Sequence, residues 1–367
     1  MKFNSIHIYK LKILNIMIIF SFVIIAQPLF AQSDSAFKPE GKMIIQVINR
    51  TIFENQGSNN TFGMYINRSH FGYSYQFNPE WKAAVVVDAG RPTLFGNLSV
   101  KDSSGNPLNT NYSYQQGSYY TITLKFSYIE FNPTKDIKLQ AGGILLNHYI
   151  TQEKFWGYRY ILETFPDKYF SIPSGDLGFI GYFDAAKWLS LDLAITNGEG
   201  FRNNQDSYGK LKIAGGIDFK PVDGFISRIY YDNSSSGDPV ANGNQQLYSA
   251  FIGYKVPQLF RIGAEYDYHK NHNHLPDNDL YGYSIYGSYI LSDNFELFGR
   301  YDNLRSNTLE GKANAWNFQN DGGAFIGGVH YNPVNGISLS LSYQGWKPED
   351  INLNYKNSVA FSFEYKL

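Results

Sequence analysis

Short segments in which apolar and polar residues alternate, each followed by a turn, recur from residue 42 to the last residue of the chain. Such alternation is typical of a strand with one apolar face and one wet face. The last segment shows it best, with apolar Val359, Phe361, Phe363, Tyr365 and Leu367 set against polar Ser362, Glu364 and Lys366. A soluble sandwich strand has the same period, but about sixteen repetitions favour a closed barrel in an outer membrane.

Two other segments have faces that can be assigned. In residues 260–268 the apolar set is Phe260, Ile262, Ala264, Tyr266 and Tyr268, opposed by Arg261, Glu265 and Asp267. In residues 337–343 serines alternate with Ile337, Leu339, Leu341 and Tyr343. A slip of one residue would place charge in lipid, which costs ~2–4 kcal/mol at the bilayer centre, so we expect these faces to be strongly specified.

The connections between the segments alternate between short and long. The short ones lie at 78–80, 132–135, 185–187, 220–224, 256–258, 292–294 and 332–336, and all but the Ala-Ala-Lys bend at 185–187 contain Pro, Gly, Asn or Asp. The long polar ones lie at 54–60, 90–120, 145–175, 198–209, 233–246, 271–279, 303–323 and 345–356. These residue types favour tight turns, which explains why the chain reverses at the short connections. The pattern predicts an all-β fold, a transmembrane antiparallel barrel of about 16 strands with short periplasmic turns, long extracellular loops and periplasmic termini.

The N-terminal segment predicts export. Lys2, Lys10 and Lys12 precede the apolar run 13–26, and small-residue cleavage chemistry follows around Ala31. We therefore expect a signal peptide at 1–31, a short periplasmic segment at 32–41 and the barrel at 42–367. A single membrane anchor is the alternative for this segment. Beyond it no apolar run reaches ~18 residues, so the sequence predicts no further spanning helix.

Composition removes several classes of function. The chain has no cysteine, which excludes thiol chemistry and disulfides. Its formal net charge is -1, and nothing in its charge pattern indicates a nucleic-acid partner. The 30 Tyr and 28 Phe residues are suited to the aromatic girdles of a barrel.

The polar faces of the segments predict the lining of a lumen. Its candidate tuning residues are the bases Arg68, Lys82, Lys125, Lys138, Lys154 and Arg159, which we expect to oppose the acids Asp192, Asp218, Asp232 and Glu296. A barrel of about sixteen strands is wide enough for a water-filled channel, and its lining charges set selectivity. The alternative is that these charges are solvated wall groups paired with neighbours.

The 145–175 connection is the candidate constriction. It holds Phe155, Trp156, Tyr158 and Tyr160, which are too many aromatic side chains for a simply solvated loop. Folded against the inner wall, it would narrow the pore and set Lys154, Arg159 and Asp167 in the path of a solute. Packing over the barrel rim or in a subunit contact is the alternative.

At this point the chain resembles a known family. The residues that carry the resemblance are Arg68 with Gly72, Trp81, Asp88, Ser127-Tyr128-Ile129-Glu130-Phe131, Gly142-Gly143, Gly157-Tyr158-Arg159-Tyr160, Asp176-Leu177-Gly178 and Asn197-Gly198-Glu199-Gly200. Over residues 67–201 this order looks like the phosphate-selective porin O and P family. The resemblance implies a sixteen-stranded, usually trimeric, outer-membrane porin whose third loop folds into the lumen.

Two departures from the family limit what it implies. Phosphate-selective members carry a dense arginine ladder and a lysine cluster, whereas this lumen interleaves Asp and Glu with its bases, so phosphate selectivity is not expected. The family's last residue is usually Phe, a feature that the assembly machinery reads, but here it is Leu367.

Other constellations are weaker. His269, His272 and His274 lie close together in sequence, but their spacing matches no rigid metal motif, so we expect a solvated loop rather than a metal site. An outer-membrane enzyme would need a nucleophile with a histidine and a carboxyl or amide partner. No Gly-x-Ser-x-Gly elbow occurs, and His70 and His330 both fall on the predicted inner face. The chain is therefore expected to be no enzyme and to need no cofactor.

Together these features predict a passive porin in the bacterial outer membrane, which admits small hydrophilic solutes or ions by diffusion. The expected partners are outer-membrane lipid, lipopolysaccharide, the solutes and, by resemblance, two further copies in a homotrimer. A plugged or gated substrate-specific transporter and a non-conducting structural barrel are the alternatives.

Overall fold

The computed structural model describes residues 37–92, 120–201, 203, 205 and 209–367. The strands of the described residues all lie in one compact unit, residues 39–367. The expected signal peptide at 1–31 and most of the 90–120 connection lie outside the described residues. Within the described ranges, no helix is long and apolar enough to cross a membrane.

Sixteen antiparallel strands form one closed barrel in which each strand pairs with its neighbours in sequence and β16 closes on β1. The strands are β1 Glu40–Gln56, β2 Asn59–Gln76, β3 Trp81–Pro92, β4 Tyr120–Thr134, β5 Ile137–Leu145, β6 Gly175–Ala186, β7 Leu189–Thr196, β8 Lys212–Phe219, β9 Phe225–Ser234, β10 Gln245–Val256, β11 Phe260–Lys270, β12 Leu280–Ser292, β13 Phe295–Ser306, β14 Gly322–Tyr331, β15 Ile337–Pro348 and β16 Lys356–Lys366. The predicted fold class and strand number are confirmed.

Closure depends on a long ladder between the first and last strands, which runs from Gln46 opposite Lys366 to Gln56 opposite Lys356. A closed barrel leaves no sheet edge, so backbone N–H and C=O groups find partners without water. This condition is what lets a sheet cross a lipid bilayer.

The first hairpin differs from the expectation. The 54–60 connection is not a long loop, because β1 and β2 continue to Gln56 and Asn59 and leave only Gly57 and Ser58 between them. Gly57 takes the turn at φ +62°, a backbone conformation that favours glycine. Polar residues at 54–60 indicated a loop, but they form the exposed end of a ladder that pairs Asn55 with Asn60.

The strand faces follow the predicted alternation. On β11, Ile262 and Tyr266 are about half exposed on the outside, whereas Glu265 and Asp267 are buried inside. On β15, Ile337, Leu341 and Tyr343 are exposed and the intervening serines point inward. The exposed apolar positions on the other strands repeat this pattern and give the barrel an apolar outer belt.

Turn chemistry terminates the strands at the short connections. Asn78 accepts hydrogen bonds from the backbone of Glu80 at 3.0 Å and Trp81 at 2.7 Å, which reverses the chain after β2. Gly336 has φ +86°, and a Cβ there would lie 2.7 Å from the carbonyl oxygen of Lys366. Only glycine fits that turn without displacing the start of β15.

Candidate functional site

The long connection between β5 and β6, residues 146–174, contains the helices α1, Ile150–Trp156, and α2, Phe165–Tyr169. We call it the 146–174 loop. Gly157 ends α1 in the left-handed conformation, and Pro166 stands in the first turn of α2, where a missing N–H has no cost. A backbone hydrogen bond from Leu146 N–H to Ser174 O, 3.0 Å long, closes the base of the loop.

Aromatic side chains of this loop pack against the inner face of the barrel. Ring centroids are 5.3 Å apart for Phe155 and Phe251 of β10, and 5.1 Å apart for Trp156 and Tyr286 of β12. Tyr158 lies 4.9 Å from Phe298 of β13. Because these wall residues are buried and point inward, the loop lies inside the barrel against β10–β13.

Six polar contacts hold the loop to β1, β13, β14 and β15. Tyr158 donates to Glu296, and Arg50 of β1 donates to the carbonyl of Ile161. The hydroxyl of Tyr160 lies 2.6 Å from His330 Nδ1 and donates to Leu339 O at 3.0 Å. Arg300 donates to Glu163 O at 2.6 Å, and Tyr169 donates to Asp302 at 2.9 Å. Contacts to so many strands give the loop one defined position.

Arg159 is the centre of a charge cluster within the loop. Its guanidinium nitrogens lie 2.8 Å from Glu153, 3.2 Å from Glu163 and 3.0 Å from Asp167. One base surrounded by three carboxylates leaves the cluster with an excess of negative charge. The sequence predicted Arg159 and Asp167 as residues of the solute path but not Glu153, which lies in α1 and lines the same cavity as Lys154.

The charged groups of this cluster shift one another's pKa values. Burial opposes the charged form of Arg159, but its three carboxylate neighbours outweigh burial and raise its pKa. Burial would raise the pKa of Glu163, yet Arg159 and Lys168 lower it to about 2. For Glu153 and Asp167 burial prevails, so the pKa of each is raised above its ordinary value, although Arg159 opposes the shift.

Two cavities meet at this cluster. The loop-side cavity, about 380 Å³, is lined by Arg68, Arg159, Glu163, Asp167, Lys168 and Glu199. The turn-side cavity, about 720 Å³, is lined by Lys82, Glu130, Lys138, Glu153, Lys154 and Tyr182, together with residues of the short turns. Glu153 faces one cavity and its partner Arg159 faces the other, so this ion pair lies between them.

The predicted bases occupy different positions. Arg68 lies 3.7 Å from Asp88 and shares the loop-side cavity with Arg159. Lys125 is buried, donates to Ser174 and has its ammonium 4.3 Å from the ring centre of Phe201. The turn-side cavity contains Lys82, Lys138 and Lys154.

The predicted acids are paired on their own part of the wall. Asp192 and Asp218 lie 2.8 and 2.7 Å from Arg228, which joins β7, β8 and β9. Asp232 lies 2.7 Å from Lys212, and Glu296 lies 3.3 Å from Arg261. Asp192 and Asp218 also line the turn-side cavity with Lys82, Lys138 and Lys154, whereas the carboxylates that share the loop-side cavity with Arg68 are Glu163, Asp167 and Glu199.

The histidine-rich segment does not assemble a metal site. His269 and His272 contact each other through their Nδ1 atoms at 3.2 Å, while His274 lies 3.0 Å from the carbonyl of Gly243. Across the described part of the chain, no group of three His, Asp or Glu side chains is placed to hold a metal ion.

Solved structures share the fold of this chain at low sequence identity. Neither family models nor curated proteins match the chain. Among solved structures, OmpF of Salmonella typhi in complex with daunomycin has a TM-score of 0.62 at 11% identity, covering 89% of this chain and 97% of that one. The anion-selective porin of Comamonas acidovorans has a TM-score of 0.62 at 10% identity, over 90% and 100%. The outer membrane channel DcaP of Acinetobacter baumannii has a TM-score of 0.61 at 13% identity, over 92% and 100%.

At these identities the likeness establishes the fold alone. With its sixteen closed strands and apolar outer belt, the chain is a transmembrane β-barrel of the bacterial outer membrane. The finer resemblance to phosphate-selective porins stays a prediction, since no family model matches.

Proposed function

We propose that the chain is a porin, a water-filled channel through which small hydrophilic solutes or ions diffuse passively, with the 146–174 loop as its constriction. The observation that carries this proposal is the position of the Glu153–Arg159 pair between two polar cavities. A solute that moves from one cavity to the other passes these charges. The lining residues of both cavities are polar and balanced in sign, which suits hydrated solutes.

The proposed path follows the two cavities, which are lined by β2–β9 and the polar side of the loop. Aromatic residues of the loop cover the wall at β10–β13, and a second apolar cluster joins Phe165, Phe170 and Ile172 of the loop to Ile180 of β6 and Tyr230 of β9. The loop therefore contacts the wall on both sides, and the two cavities are the space beside it that a solute would use. A plugged transporter is the alternative, and the proposal gives the protein no catalytic role.

The proposal includes a homotrimer in contact with outer-membrane lipid and lipopolysaccharide. Its support is the family resemblance in sequence and the apolar outer belt, which needs lipid or a second copy to cover it.

Single-channel recording of the purified protein in a planar bilayer tests the proposal. We expect stepwise currents whose size changes when Lys154 and Arg159 are replaced by glutamine. Arg305→Gln is the control, because Arg305 pairs with Glu349 and lines neither cavity. Absence of current from protein shown to be folded by heat-shifted gel mobility would overturn the porin proposal.

A further inference from the structure

We propose that the turn-side cavity binds small solutes that carry two or more negative charges, through Lys82, Lys138 and Lys154. This inference rests on the proposed function, because it names the class of solute that the channel would retain. Three different elements supply the bases: β3, β5 and α1. Their ammonium groups therefore approach the cavity from different sides.

The three lysines are left without carboxylate partners. Among the described residues, none of them has an Asp or Glu oxygen within 4.0 Å. The ammonium of Lys138 lies instead 4.1 Å from the ring centre of Tyr182, in a cation–π contact. Lys82 stands directly opposite Glu130 on the β3–β4 ladder, so an ion pair between them would be expected.

The acids of the same cavity make their closest contacts with groups other than these lysines. Glu130 accepts hydrogen bonds from Gln140 at 2.7 Å and Asn132 at 3.2 Å, rather than binding Lys82. Glu153 is bound to Arg159, Asp192 and Asp218 share Arg228, and Asp184 accepts from Ser190 at 2.7 Å. At the turns, Lys135 and Lys220 add two bases to the lining and Asp136 adds one acid.

This distribution favours multivalent anions. An ammonium is a compact point charge with three donors, so each lysine interacts with one anionic group at a time. A solute with several carboxylate or sulfate charges can contact more than one lysine, whereas a monovalent ion uses only one. The low-dielectric wall around the cavity strengthens these attractions. Multivalent anions should therefore stay in the cavity longer than monovalent ones.

Citrate block of the channel current tests the inference, with acetate at equal ionic strength as the monovalent comparison. We expect citrate to reduce the current of the full-length protein and acetate to have little effect. The triple variant Lys82→Gln, Lys138→Gln, Lys154→Gln should raise the citrate concentration for half block by about tenfold or more.

A second triple variant controls for the loss of net charge. Lys42→Gln, Lys356→Gln and Lys366→Gln remove the same charge outside the turn-side cavity, since Lys42 pairs with Glu40, Lys356 pairs with Glu54, and Lys366 pairs with Glu364. We expect citrate block to be unchanged in this variant. Equal half-block concentrations in wild type and the first variant, or equal shifts in both variants, would overturn the inference.

Calorimetry separates this inference from the porin proposal. Citrate binding to the detergent-solubilised protein needs no current and should disappear in the first triple variant. Current without citrate binding would leave an open channel and remove the anion site. Binding without current would support the site and remove the porin proposal.

Discussion

Arg159 Nε lies 2.8 Å from Glu153 Oε2, and the two side chains face different cavities on either side of the 146–174 loop. Arg159 also binds Glu163 and Asp167. A single guanidinium therefore joins an acid of α1, an acid of α2 and an acid of the segment between the two helices. The loop is anchored to the wall by its aromatic side and carries this cluster on its polar side. The cluster therefore sits on a rigid support.

Replacing Arg159 by Ala should increase conductance and shift selectivity toward cations. The substitution removes the base at the centre of the cluster, so Glu153, Glu163 and Asp167 lose the guanidinium that pairs with them. Breaking a fully buried ion pair costs ~3–5 kcal/mol, and these side chains are 15–27% exposed, so we expect the loop to become less stable by less than that amount. Reversal potentials under a salt gradient measure the shift. Arg159→Lys keeps the charge and should retain most of the wild-type selectivity; equal effects of both variants would contradict the role of charge.

Selectivity should also change with pH. Because the pKa values of Glu153 and Asp167 are raised, these carboxyls take up protons above the ordinary ranges near 4.5 and 3.8, respectively. Glu163, with a pKa of about 2, stays charged through that window. Acidification from neutral pH should therefore remove negative charge from the cluster in part and shift selectivity toward anions. Reversal potentials measured at successive pH values check this, and a double variant Glu153→Gln, Asp167→Asn should flatten the change.

The same shifts give stability contributions of opposite sign. For Glu153 and Asp167 the folded protein binds protons more readily than the unfolded chain, so their contribution to stability increases as pH falls through the window. The contribution of Glu163 is present above its unfolded pKa and is lost as pH falls toward about 2. Loss of loop protection from protease in mild acid would contradict the first of these signs.

Trp156→Ala should loosen the loop while the barrel remains assembled. Trp156 is 1% exposed and its indole N–H donates to Leu162 O at 3.0 Å. Truncating a buried Trp typically costs ~3–5 kcal/mol. Limited proteolysis of the loop and current noise report the change, while heat-shifted gel mobility reports the barrel. Trp188→Ala, at a side chain that is 49% exposed, is the matched control and should leave all three unaffected.

The period of two was enough to predict the barrel, because alternating polarity decides which side chains point to lipid. It could not predict where β1 ends, since the polar residues Glu54 and Asn55 are compatible with either a loop or the wet end of a strand. The pairing of Asp192 with Arg228 joins residues of β7 and β9 across β8, so it depends on side-chain reach inside the lumen. Sequence pattern gives the facing of such charges but not their partners.

For the 146–174 loop, too, the sequence predicts the kind of contact but not the partner residues. Its aromatic residues indicated a surface to pack against, yet the particular partners, such as Phe298 for Tyr158, come from strands that are distant in sequence. The cluster around Arg159 depends on the turn of α1 and the left-handed Gly157 that ends it. A pattern of alternating apolar and polar residues does not predict such local geometry.

Charge substitutions on β15 test the assignment of lipid and lumen faces. Leu341 is 58% exposed on the outer belt, so Leu341→Lys should destabilise the folded barrel in a bilayer by ~2–4 kcal/mol if it lies near the midplane. Ser338→Lys, at a half-buried inward position on the same strand, is the matched variant and should cost less because its ammonium reaches water. Urea titration in lipid vesicles, followed by tryptophan fluorescence, compares the two. A larger loss for Ser338→Lys would mean that the faces are exchanged.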